Sequence, residues 1–553
     1  MTDTFNLVDK PWIRIRDVEG EVREVSLSEA LTESHRIERL AGELPTQDFA
    51  VLRVLLAVLY RAVAPEPTGD PEGVWEELWN QDRLPAAGLT AYLDAWKPRF
   101  DLLDSQRPFM QVPDLHTSKG EWRSLELLVP DCPGPGAMFR RRDPSISLGL
   151  GEASRWLLHC QAYDPSGIKS GAVGDQRVKG GKGYPTPVGW AGWMGGQYIE
   201  GTNLRETLLL NLVLDRRYDR RDIPLWEEEQ HLTQDVRSPE MCGPFGQLGL
   251  LTWPERRVRL HVEEGEVAEV LICNGDPIPY TLQSEHELMT PWRFSEPQTA
   301  KAKSIIYMPR SLTRGRALWR GLETLLPDPS GAKVKTKYGD AESARPSGVV
   351  NWVGKLVSEK VLPPGFQVRI VATGVEYGPQ MAVISTVLAD RLAFAGVLAD
   401  VSSGAHRAAA TTAVGETDAA IRALGSLADN LVVAAGGDAG PAREGAVSGA
   451  YEELDRAFRR WLRDLGPETS PDASLQSWRE GCRRTLAARG EELVRNAPPA
   501  AWRGREHSGH VVSVGQADLW FHRSLAKALP FLPRDDLPAT NYADDSTTER
   551  TEQ

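Results

Sequence analysis

The feature that most limits how this chain can fold is a change of pattern near residue 380. Beyond it, four long stretches carry apolar residues at helical spacing with almost no strand signal: MAVISTVLADRLAFAGVLAD, TDAAIRALGSLADNLVVAA, AYEELDRAFRRWLRDL and DASLQSWREGCRRTLAARGEELVRN. Tyr451, Leu454, Phe458, Trp461 and Leu462 share one helical face, as do Leu475, Trp478, Cys482, Leu486 and Leu493. Four such stretches with Gly- or Pro-containing connections predict a bundle. The preceding two-thirds is mixed. A hairpin with its turn at Glu19-Gly20 leads to a helix near Ser28, an apolar helix follows Thr46, and helices are expected over 72–80 and 87–97. Residues 256–273 read as a second hairpin and 205–215 as a buried helix or strand. The expected fold is an α+β N-terminal globular domain over 1–375 and an all-α C-terminal four-helix bundle over 380–533. A polar tail over 534–553 is expected to be disordered.

At 553 residues the chain is long enough for two or more domains with well-buried cores. Its formal charge of −13 argues against a surface coated in phosphate-binding side chains, so any nucleic-acid contact must be local. Five cysteines show no C-x-x-C spacing and point to neither a zinc ribbon nor a disulfide framework, which fits a reducing cytoplasm. The N-terminus lacks the regions of a signal peptide. The longest apolar stretch, Phe49 to Ala64, contains Arg53 and Arg61 and falls short of the roughly 20 residues of a membrane span, so no membrane association is expected.

The common catalytic constellations are missing. His286-Glu287-Leu288-Met289-Thr290 lacks the second histidine of H-E-x-x-H and reads as a polar turn. His507 and His510 lie in a Gly-containing loop without a nearby cysteine or carboxylate cluster. In GDQRVKGGKG, Gln176 stands where the first glycine of a Walker A motif belongs, and Lys182 is followed by Gly183 rather than Ser or Thr. Gly149-Leu150-Gly151 has no third glycine at dinucleotide spacing. No catalytic residue, metal site or cofactor is expected.

Three segments depart from the acidic average. Phe139-Arg140-Arg141-Arg142 follows the Pro- and Gly-rich CPGPGAM, so an exposed tip is expected, suited to base stacking and phosphate contact or simply a solvated turn. Ser166 to Gly183 sets Lys169, Arg177, Lys179 and Lys182 against Asp175 alone among closely spaced glycines. Such backbone can approach base edges in a groove, or it can be a linker. Arg293 to Arg320 sets seven cations against Glu296, the footprint of a DNA path or a solvated helix face.

The opening FNLVDKPWIRI, the helix LPTQDFAVLRVLLAVLYRAVAP, the segment from Gln106 to Gln111, the strings GIKSG and GYPTP, and LRETLLLNLVL together resemble the CasA family, the large subunits of type I-E Cascade. The resemblance covers most of the chain. It implies a non-catalytic subunit of an RNA-guided antiviral surveillance complex that recognises a protospacer-adjacent motif in duplex DNA. It also implies help in opening the duplex into an R-loop and in recruiting a helicase-nuclease. Its implied partners are double-stranded target DNA, the guide RNA within the complex, the other Cascade subunits and that nuclease. The motif is expected to be read mainly from the minor groove, where the base pattern is degenerate.

By the same resemblance, Phe139, with Arg140 and Arg141, falls in a loop that docks on the guide-RNA end. The glycine loop corresponds to Asp164 through Lys169, with Gly167 and Lys169 matching, although this chain has fewer glycines before Lys169 and an extra Gly-rich stretch after it. Gln380 matches a glutamine at a hairpin tip that wedges into the duplex. Its neighbours Pro379 and Met381 replace the polar flanks of some relatives, and a helix-start residue is the alternative. Lys301, Lys303 and Arg293 correspond to phosphate contacts along the displaced strand. Two other readings stand beside this one: a structural scaffold that senses nothing, and an enzyme binding a phosphorylated ligand through 166–183.

Overall fold

The computed structural model describes residues 4–530 apart from 65, 131–146, 230–231, 236, 238–242, 328–332 and 508. The chain divides into two compact units, Met1–Gly404 and Ala405–Gln553. The boundary expected at 375–380 therefore falls inside the first unit, and the tail over 534–553 lies outside the described residues.

The first unit is mixed α and β, built around the helix Pro45–Val63. This helix is apolar on nearly all sides because other elements surround it, and Pro45 at its first turn costs no hydrogen bond. Its one mid-helix cation, Arg53, is buried and donates to both Glu287 carboxylate oxygens at 3.0 and 3.3 Å and to the Leu250 carbonyl at 2.7 Å. Glu287 also accepts from Trp190 Nε1 at 2.8 Å and from the Met289 amide at 2.9 Å. The sequence pattern of residues 286–290 suggests a polar turn. The structure instead buries Glu287 completely, because it neutralises the central helix.

The helix Leu150–Tyr163 packs alongside, with Thr46 Oγ1 3.0 Å from His159 Nε2. Burial pushes the His159 imidazole down to about 3, so it stays neutral. The first hairpin, Ile13–Asp17 with Val22–Val25, is as expected, with Gly20 at φ +94, and Ile37–Leu40 pairs on its other edge. Residues 204–210 are helical, and 256–274 form a two-stranded antiparallel ladder.

One element departs from its sequence pattern. MAVISTVLADRLAFAGVLAD is not a helix: Ile384–Ala395 is a strand paired antiparallel with Gln367–Tyr377 over their full lengths, and Gly196–Ile199 adds a third strand. The run contains β-branched Val383, Ile384, Thr386 and Val387, and Leu392 and Phe394 turn inward while Arg391 points out. That period-two alternation outweighs the helical spacing once a partner strand is available.

In the second unit, four helices longer than ten residues occur among the described residues: Gly404–Ala435, Pro441–Asp464, Pro471–Arg495 and Val514–Ala528. The last is not among the four stretches expected from the sequence; it replaces the one lost to the hairpin. Trp478 Nε1 donates to Thr417 Oγ1 at 2.9 Å, Tyr451 to Asp418 at 2.7 Å, and Arg479 forms a bidentate pair with Glu416. Phe458, Trp461 and Trp478 cluster with ring centroids 5.0–5.7 Å apart.

Replacing Glu287 by alanine leaves the Arg53 charge buried and unpaired. The expected loss is about 3–5 kcal/mol of stability, read as a lower urea midpoint by tryptophan fluorescence.

Candidate nucleic-acid interface

The Gly-rich segment begins where the helix Leu150–Tyr163 ends, at Asp164. It runs out to a short ladder, Lys169–Ser170 with Lys182–Gly183, so it is folded rather than a linker. Both of its ends are held by one fully buried guanidinium. Arg256 donates through Nε to Asp164 Oδ2 at 2.5 Å and to the carbonyls of Asp164 and Pro165 at 3.3 Å where the segment departs. Where it returns, Arg256 donates to Thr186 Oγ1 at 3.2 Å and to the Pro187 carbonyl at 2.9 Å.

The same Asp164 oxygen receives Lys169 Nζ at 2.6 Å, and the Lys169 side chain is only 13% exposed. The ammonium is parked on a carboxylate rather than held out toward solvent. Arg177 is also committed, to Asp175 and to the carbonyls of Asn274 and Gly275. Lys179 and Lys182 are exposed, and Ile168 is exposed between Gly167 and Lys169.

Gln380 sits at the tip of the long hairpin, with Pro379, Met381 and Val383 exposed around it. A helix-start role for Gln380 is therefore excluded. The tip is closed by the Gly378 amide on the Val383 carbonyl at 2.9 Å, the Met381 amide on Gly378 at 2.9 Å and the Ala382 amide on Pro379 at 3.2 Å. Gln380 and Met381 both have left-handed backbone, φ +55 and +56, which side chains other than Gly, Asn and Asp rarely adopt.

The hairpin is anchored below its tip by Tyr377, whose hydroxyl donates to the Tyr163 carbonyl at 2.8 Å. Burial raises that phenol well above its ordinary range, so it remains a donor, and its approach leaves no room for a Cβ on Gly192. Loop and tip are neighbours: a Cβ on Gly167 would lie 3.8 Å from the Ala382 carbonyl oxygen. The structure thus brings Gly167, two residues before Lys169, beside the base of the turn that carries Pro379, Gln380 and Met381.

The basic segment is not one helix face. Arg293 is exposed on the strand Trp292–Phe294 and Lys301 on the helix Glu296–Ala302. Lys303 ends that helix in left-handed backbone, and Arg314 and Arg316 lie on an exposed turn. Phe139, Arg140 and Arg141 lie outside the described residues.

Among the described residues no group of three or more His, Cys, Asp or Glu side chains is placed to hold a metal, and no helix is long and apolar enough to cross a membrane. His507 and His510 face each other across an exposed two-stranded ladder.

Sequence reasoning missed Asp164, Arg256 and Tyr377 as organisers of this surface. In the sequence Arg256 and Arg257 read as ordinary strand residues of RRVRL, yet both are buried. The available signal is weak: two adjacent arginines put one on each face of a strand, and a strand covered on both faces can bury them only by pairing them inside.

The fold defines a two-unit protein whose larger unit presents a folded Gly-rich loop and a long hairpin tip side by side. The model of the family described as CRISPR-associated protein Cse1 matches residues 6–488, and the chain belongs to that family. The CRISPR-associated protein CasA/Cse1 of Thermus thermophilus is 30% identical over 347 residues. That match spans 62% of this chain and 64% of the relative's length. The crystal structure of Thermobifida fusca Cse1 superposes with a TM-score of 0.87 at 40% identity, covering 95% of this chain and 98% of that one. The Cse1 of Acidimicrobium ferrooxidans gives 0.77 at 27% identity, covering 95% and 98%. A chain in a structure described as a CRISPR RNA-guided surveillance complex shares the fold, with a TM-score of 0.67 at 19% identity and coverage of 89% and 98%.

Because Gln380 is held at positive φ on an exposed tip, Gln380→Gly removes the side chain and relieves the backbone together. Thermal unfolding is expected to stay unchanged or rise by up to about 1 kcal/mol equivalent, in contrast to Gln380→Ala, which keeps the strain.

Proposed function

We propose that this chain is the large, non-catalytic subunit of a type I-E Cascade complex, an RNA-guided antiviral surveillance assembly. It recognises a short motif beside the guide-matched sequence in duplex DNA and promotes strand opening into an R-loop. It then helps recruit a helicase-nuclease. The observation that carries this reading is the closeness of the Gly167 loop to Ala382 in the hairpin turn that carries Gln380. A backbone loop without Cβ bulk suits entry into a narrow groove, and a side chain on a rigid hairpin beside it suits insertion between base pairs.

Lys169 reaches the DNA by exchanging the Asp164 carboxylate for an acceptor on the duplex. Gln380, with Pro379 and Met381, replaces a base stack at the point of opening, at a cost of a few kcal/mol recovered by guide pairing. Lys301, Lys303 and Arg293 take phosphates of the displaced strand without base specificity. Phe139, Arg140 and Arg141 dock toward the guide-RNA end of the complex. The helices of the second unit form a four-helix bundle that packs against neighbouring subunits. Cys160, Cys273 and Cys482 are free thiols, in keeping with a cytoplasmic protein.

The test is duplex binding at fixed salt to the reconstituted guide-loaded complex, with targets differing only in the pairs beside the guide-matched region. Adding the chain is expected to create discrimination between them, and Lys169→Ala or Gln380→Ala to reduce it about 10-fold or more, as loss of a good base contact does. Binding indifferent to the flanking pairs, or to both substitutions, returns the chain to the role of scaffold.

A further inference from the structure

A cleft of about 430 Å³ opens beside the sheet that joins Trp292–Phe294 to Tyr307–Pro309. Its walls carry Arg293, Arg310 and Arg316 and no Asp or Glu, in a chain of formal charge −13. The three arginines arrive from separate places: a strand, the residue after a second strand, and the turn beyond Gly315. Such convergence of like charge is unfavourable by itself and is offset when an anion sits among the cations.

The guanidinium groups have capacity to spare. Arg293 and Arg316 have no carboxylate partner among the described residues, and Arg316 uses Nη2 on the Arg320 carbonyl at 2.9 Å. Arg310 spends Nη1 on Glu323 at 3.2 Å, a carboxylate whose own side chain is 53% exposed. Each guanidinium offers five N–H donors, so most remain for a ligand.

The rest of the lining differs in kind. Pro291, Pro309, Leu312, Leu318 and Leu325 give it an apolar side, and the backbone of Gly195, at φ +67, lies against Ser311 where a Cβ would come within 3.0 Å. One charged side and one apolar side in a recess of this size match a phosphate joined to a flat heterocycle.

We infer that this cleft binds one nucleotide unit of single-stranded DNA, the phosphate on Arg293, Arg310 and Arg316 and the base in the apolar recess. In the assembled complex this rests on the strand-opening reading above, which supplies the strand. Ala372 lines the cleft and belongs to the hairpin strand that leads to Gln380. Roughly eight residues at ~3.3 Å each separate the two positions, about 26 Å along the hairpin. A single strand covers that span in about eight nucleotides at a stacked rise of ~3.4 Å, and in fewer when extended.

The test uses the full chain and a labelled oligo-dT at low salt, with dTMP and inorganic phosphate as competitors. Combined R293Q, R310Q and R316Q is expected to weaken binding about 10-fold or more and to flatten the salt dependence by ~0.7 for each phosphate no longer neutralised. Glu323→Gln, which frees Arg310 without touching the three arginines, is expected to tighten binding about 2-fold and keeps the proposal open to refutation if the triple variant misfolds. Oligonucleotide binding that is absent, or unaltered by both sets of substitutions, overturns the proposal. Competition by dTMP or phosphate as effective as that of the oligonucleotide overturns it too, in favour of a site for a small phosphorylated molecule. Oligo-dT binding by the chain is measured apart from motif discrimination by the assembled complex, so failure of motif discrimination and failure of the cleft are separately visible.

Discussion

The loop-and-hairpin surface depends on the buried ion pair between Arg256 and Asp164. The segment between Asp164 and Pro187 is rich in glycine and would be costly to order by its own propensities. One guanidinium solves this by taking acceptors at both ends of the excursion, closing it at its base while leaving its middle at the surface. Glu255 sits beside the pair, but burial holds its carboxyl well above the usual range. The charge of Arg256 is therefore balanced chiefly at Asp164, the same group that receives Lys169.

That arrangement explains how a strongly acidic chain can carry locally basic loops and why composition describes them poorly. Many of its cations are spent inside: Arg53 on Glu287, Arg155 on Glu24 and Glu43, Arg257 on Asp276, Arg177 on Asp175. These hold elements together and add little to the outer potential. Among the exposed cations, Lys182, Arg293, Lys301, Lys303 and Arg316 lie on loops and short elements of the first unit. Local potential, not net charge, decides where a polyanion can lie.

Much of the fold was legible because local signals agreed with the final state. The Glu19-Gly20 turn is where it was expected, the helix expected near Ser28 starts at Leu27 with Ser26 as its cap, and the apolar helix expected after Thr46 starts at Pro45. The long hairpin was not legible from the pattern, since an apolar run of that length fits a helix until its partner is known, and the turn from Gly378 to Val383 carries no Asn-Gly or Asp-Gly signal of a two-residue hairpin loop. The Gln380 placement came from family resemblance alone, as nothing in a glutamine announces a left-handed tip. Asp164 and Arg256 stayed hidden because charged side chains are read as exposed until a partner far along the chain is found.

The loop and the hairpin tip share a foundation. Tyr163 supplies the carbonyl that holds Tyr377, and the next residue, Asp164, holds Lys169 and Arg256, so both features rest on the C-terminus of one helix. Gly167 and Ala382 then lie close together above it. A ligand that draws Lys169 away from Asp164 alters the charge beside the Tyr377 anchor. Such a path needs no domain motion to make events at the loop felt at the tip; it needs only that two side chains compete for one carboxylate oxygen.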